Sequence, residues 1–180
     1  MDSRIIPWPL RAPTIAIFVL GSFAAKCWAP ETPKEPGVQE RRALSETYLK
    51  QRLAGWQQRL KLQDWTISLV MSHPTDLRRG TLGNVHWDAD KKTAVIRVLD
   101  ASDYQRPFRP TLEDMEFTVV HELVHLELTS LTRNFKSRSE ESFSQEEQAV
   151  NRVSDALLQL DRSDQLDRLD AIASSPIRKR

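Results

Sequence analysis

The sequence predicts an α+β fold, a small and mostly antiparallel sheet packed on a helix, with further helices at either end. Three observations carry this. Apolar residues recur at helical spacing before residue 62, the period shortens to that of strands between residues 65 and 99, and helical spacing returns after Pro107. With 180 residues the chain has the length of one domain, and only 5 glycines and a 39% apolar content fit a compact fold with a true core.

The first thirty residues differ from the rest. Arg4 and Arg11 precede an apolar run, Ala12 to Ala25, interrupted by Pro13, Thr14, Gly21 and Ser22. A basic stretch followed by an apolar one of this length reads as a signal peptide or N-terminal anchor over residues 1–29, with a buried helix as the plain alternative. The expectation is export to the periplasm or beyond, or retention at a membrane through this segment alone. The run falls short of the ~20 residues of a comfortable span. Cys27 is the single cysteine, so disulfides within the chain and cysteine-based zinc sites are excluded, and any metal must be held by His and carboxylate. Residues 30–40, with three of the ten prolines, read as a linker, and residues 174–180 as a short basic tail.

The folded domain is then expected over residues 41–173. Leu44, Leu49, Leu53, Trp56 and Leu60 mark an amphipathic helix from about Arg41 to Leu62. Trp65–Met71, Leu82–Trp87 and Thr93–Leu99 read as three strands, with the polar Asp88–Lys92 a hairpin turn between the last two. Thr111 and Asp114 offer a capping signal for a helix running to about Leu131. Thr132–Glu141 reads as a loop. A last helix begins near Ser142, with Val150, Val153, Leu157 and Leu160 as its expected buried stripe and a break near Ser163.

Charge is close to balance, 26 Lys+Arg against 25 Asp+Glu. Nucleic-acid binding, which calls for a clustered basic excess, is not expected. The chemistry concentrates elsewhere. His121-Glu-Leu-Val-His125 holds two of the four histidines in one pentapeptide on an expected helix. Residues four apart lie ~40° apart around a helix, so both imidazoles project from one face and can donate nitrogen to one ion at ~2.0–2.1 Å. Glu122, ~100° round from His121, is placed to reach a water on that ion as general base. Leu112, Met115, Val119, Val120, Leu123, Val124 and Leu126 occupy the opposite arc, which should face the core.

With this HExxH motif the chain resembles the zincin metallopeptidases, and within them the glutamate-ligand branch and the compact bacterial and phage peptidases of similar build. The resemblance is sharp over Thr118–His125, looser over Trp65–Leu160, and does not reach the leader. It implies zinc (Zn2+) as cofactor and a peptide or protein as substrate, held along the edge of the sheet. No histidine follows His125, which excludes the branch with a third histidine. In the glutamate-ligand branch a glutamate on the next helix completes the set, often as E-x-x-x-[DN], and Glu147-Gln-Ala-Val-Asn151 matches. The resemblance thus implies metal ligands His121, His125 and Glu147, with Glu122 catalytic and Asn151 steadying a ligand histidine. Glu146, Glu140 and Glu141 stay open as alternatives, and Ser144 and Glu147 are also spaced as a capping box. Zincins usually add a residue that helps hold the oxyanion; His86, Tyr104 and Arg152 are the candidates here, while His73 reads as a surface residue. Two other functions remain open: a zincin-fold protein that holds zinc and binds a partner without cleaving, and a purely structural metal site.

Overall fold

The computed structural model describes residues 34–132 and 139–173. The expected leader with Cys27, the first residues of the linker and the basic tail lie outside the described residues. So does most of the loop expected over Thr132–Glu141.

Helix α1 spans Val38–Arg59, so the expected linker yields to helix three residues before its end. Gly37 caps it, its N–H donating to the Glu40 carboxylate at 3.4 Å. The buried face is Ser45, Leu49, Leu53 and Trp56, while Leu44 is exposed. Ser45 can be buried because its hydroxyl donates to the Arg42 carbonyl at 3.0 Å. Lys61, at φ 56°, takes the left-handed conformation that ends the helix and turns the chain into the sheet.

Three strands follow, β1 (Thr66–Ser72), β2 (Gly83–Asp88) and β3 (Thr93–Leu99), arranged β1-β3-β2. β2 and β3 form the expected antiparallel hairpin, and the Asp88 carboxylate accepts from Asp90 and Lys91 N–H at 3.1 Å to close its turn. β1 instead pairs parallel to β3, from Thr66 opposite Thr93 to Ser72 opposite Leu99. The sheet is therefore mixed, where a mostly antiparallel one was expected. Residues 73–82 carry the chain past the place that β3 later fills, so β1 and β3 run the same way. β3 is central and the most deeply buried, with Ala94, Ile96, Val98 and Leu99 in the core.

Helix α2 spans Phe108–Thr132 and begins a turn before the expected capping residue Thr111, which lies inside it. Its first N–H, from Phe108, is satisfied by the Glu35 carboxylate at 3.0 Å, a partner 73 residues away. Pro110 is tolerated because the first-turn N–H it lacks has no partner within the helix. Met115, Val119, Val120, Leu123, Val124 and Leu126 are buried, as the arc opposite the histidines requires. Helix α3 spans Glu140–Ala173 without a break at Ser163, whose hydroxyl donates to the Gln159 carbonyl at 3.0 Å. Its buried line is Val150, Ser154, Leu158 and Asp161; Val153 and Leu160, expected inside, are exposed.

Candidate metal centre

The site grows from α2. Because the arc formed by Val119, Val120, Leu123 and Val124 is seated in the core, the other side of the same two turns faces a cleft. His121 and His125 stand one turn apart there, ring centroids 4.8 Å apart, and their Nε2 atoms are 3.1 Å from each other. Helix α3 crosses in front of them. Glu147 Oε2 lies 3.3 Å from His121 Nε2, and Oε1 lies 3.2 Å from His125 Nε2.

The outer nitrogens are also met by α3. His121 Nδ1–H donates to Asn151 Oδ1 at 3.1 Å, which fixes the tautomer with its Nε2 lone pair turned inward. His125 Nδ1 faces the Glu146 carboxylate at 3.5 Å. Glu147 therefore addresses the inner nitrogens and Glu146 an outer one. Glu140 and Glu141, exposed in the first turn of α3, are not part of the cluster. The capping-box reading of Ser144 and Glu147 does not hold, since α3 starts at Glu140 and Ser139 Oγ accepts from Ser142 N–H at 3.1 Å.

Whether such a cluster fits a metal can be tested on its edges. A tetrahedral ion with bonds of ~2.0–2.1 Å has ligands about 3.3 Å apart. Here the two Nε2 atoms are 3.1 Å apart and each meets a different oxygen of Glu147, at 3.3 and 3.2 Å; with one donor atom from each residue, all three lie within 4.8 Å of one another, near enough to close on one ion. The donors are two imidazole nitrogens and a carboxylate, a set that suits zinc among other divalent ions. Burial, then the charge of His125, lowers the His121 pKa and favours the neutral ring that can ligate.

Glu122 sits beside the cluster with its side chain buried. Burial, followed by the nearby charge of Glu147, pushes its carboxyl up to about 8. Strand β2 approaches closely here. Gly83, the first residue of β2, has no room for a side chain: a Cβ there would clash with the Thr118 methyl, lie 2.7 Å from the Arg97 carbonyl and 3.6 Å from Glu122 Oε1. An isolated glycine at the start of a strand was the available sign of such an approach.

The cleft has a volume of about 700 Å³. One wall is β2 with the preceding loop from Arg78; the others are α2, through Phe117 and the histidines, and α3, through Phe143, Glu146 and Glu147. The proposed oxyanion helpers are elsewhere. Tyr104 is buried away from the cleft, His86 is exposed, and the Arg152 Nε–H donates to the Gln148 carbonyl at 3.2 Å. His73 is exposed and paired with Asp103 at 2.8 Å. Arg78, Arg79, Phe117, Thr118 and Trp87 line the cleft without having been singled out from sequence.

No protein-family model, curated protein or solved structure matches this chain.

Proposed function

We propose that this chain is a zinc-dependent peptidase. The observation that carries the reading is the convergence of His121, His125 and Glu147, one donor atom from each within 4.8 Å of the others, beside a buried carboxyl in an open cleft. Two histidines and one glutamate leave a coordination place for water, as catalytic zinc sites do. Zinc, when bound, supplies a Lewis acid that activates water and polarises a carbonyl. Glu122 accepts a proton from the attacking water and returns it to the leaving amine. Asn151 and Glu146 hold the imidazoles in orientation. β2 has a strand on one side only among the described residues, so its other edge offers backbone N–H and C=O groups to an extended peptide.

The basic and then apolar leader supports export, or anchoring through residues 1–29, as part of this reading. No helix of the described residues is long and apolar enough to cross a membrane.

A second reading, a protein that holds zinc and binds a partner without cleaving it, is favoured by one observation. Among the described residues the cleft contains no tyrosine and no third histidine to steady an oxyanion.

The test is Glu122→Gln in zinc-loaded protein. Peptide cleavage should fall by about 10²–10⁴-fold with zinc content unchanged. Undiminished cleavage removes Glu122 from the mechanism, and one tightly held zinc with no turnover on a broad peptide library selects the second reading. Zinc per chain in Glu147→Ala beside Glu146→Ala separates ligand from orienting group; full metal in both removes Glu147 as ligand.

A further inference from the structure

We infer that the cleft selects peptides carrying an acidic residue on one side of the scissile bond and a large apolar residue on the other. This rests on the peptidase reading and adds the substrate class.

The catalytic level of the cleft is marked by Gly83, whose backbone lies against Glu122. From there the wall runs in two directions of opposite character. Along β2, Val85 and Trp87 share the face of Gly83, since alternate residues of a strand point the same way. At ~3.3 Å per residue, Trp87 stands about 13 Å from Gly83. Trp87 is 45% exposed and lines the cleft, as do Phe117 and Phe143, of which Phe143 is 44% exposed. Aromatic side chains left this open inside a concave site offer apolar area to a ligand.

In the other direction the lining is Arg78, Arg79, Gly80 and Thr81. The turn is fixed. Leu77 is buried before it and Gly83 after it, Gly80 takes φ +83°, and the Arg78 carbonyl accepts from Thr81 N–H at 3.0 Å and from Thr81 Oγ1–H at 2.8 Å. Arg79 is four residues and Arg78 five from Gly83, a reach of no more than about 14 and 18 Å, so both arginines lie within a few substrate residues of the catalytic level. Both are exposed, and neither forms an ion pair among the described residues. Two neighbouring guanidiniums at the mouth of a cleft attract a carboxylate and repel a lysine.

The experiment uses the zinc-loaded full chain and two quenched-fluorescence peptide sets that differ only in Glu or Lys within three residues of the bond cut. The wild type should favour the Glu set by about tenfold in kcat/KM, chiefly through KM, and the preference should shrink as salt rises. Arg78→Glu/Arg79→Glu should invert it, while Arg168→Glu, an exposed change far along α3, should leave it alone. A wild-type ratio near one, or a ratio the double variant does not move, overturns the selectivity while the peptidase reading stands. If no peptide of either set is cut, the hydrolase reading falls, and fluorescence anisotropy with the same peptides decides the selectivity alone. Tighter binding of the acidic peptide that disappears in the double variant sustains it, and equal binding removes it.

Discussion

Helices α2 and α3 meet at two polar clusters, and the two are built to opposite rules. At the back, Arg52 pairs with both Glu116 and Asp161, and Arg59 pairs with Asp161. Tyr48 OH and Trp56 Nε1–H donate to Glu116, the latter at 2.8 Å, and Gln165 donates to Asp161 at 2.7 Å. Two buried carboxylates are thus matched by two guanidiniums, and α1, α2 and α3 are locked together. At the front, the ion-pair partners of Glu147 among the described residues are imidazoles, and a buried Glu122 stands alongside. Complete neutralisation fixes a structure, whereas an excess of lone pairs turned toward one point describes a place for a cation.

The comparison can be broken at either end. The largest effect is expected for His125→Ala: as a ligand on the proposed reading, its loss should weaken zinc binding by more than about 100-fold in a metal-competition titration, since a ligand outranks the orienting groups around it. Glu116→Ala should do the reverse. Leaving Arg52 partly buried without one of its partners should cost about 3 kcal/mol in urea unfolding, with zinc per chain at the wild-type value. A Glu116→Ala protein that is as stable as wild type but loses zinc would falsify the division of labour between the clusters.

Smaller effects sharpen it. Gly83→Ala forces a methyl against Thr118 and the Arg97 carbonyl, and should destabilise by about 1–3 kcal/mol while also slowing cleavage. The acid limb of stability tests the back cluster. Burial would raise Asp161, but the hydrogen bonds and charges of Arg52 and Arg59 outweigh it and hold its pKa below the ordinary value. A depressed carboxylate adds stability above its unfolded pKa of ~3.9, and that stability is lost as pH falls through the lower folded value. Asp161→Asn should therefore lower stability at pH 7 and flatten the decline at acid pH, which unfolding midpoints measured from pH 2 to pH 7 would reveal.

Much of this was readable from residues, and what was not has physical reasons. All three strands and the α2 core arc follow from local periodicity, which is why they are found close to where it places them. The direction of β1 relative to β3 is a matter of which strands meet, and side-chain alternation holds no information on that. The buried line of α3 was found only in part: Val150 is inside and Leu157 half-buried as expected, but Ser154 and Asp161 are inside and Val153 and Leu160 outside. Asp161 is buried by its arginine partners on α1, an interaction 109 residues distant that no apolar pattern registers. The start of α2 depends likewise on Glu35 rather than on a neighbouring cap. At the site, a spacing of four brings His121 and His125 together on any helix. The arginine turn and the aromatic wall enter through tertiary folding alone.

Besides its apolar contacts through Val150 and Leu158, helix α3 has two polar supports: Glu147 at the imidazoles and Asp161 at the arginines, fourteen residues and about 21 Å apart. On the proposed zinc reading, only the first depends on metal supply. Chelation should leave the far bearing seated and loosen the opening turns of the beam, residues 140–149, ahead of the buried Val150. Amide exchange in those turns then becomes a gauge of ion loading that needs no substrate. The wall that carries Phe143 and Glu147 would open and close with the availability of the ion itself.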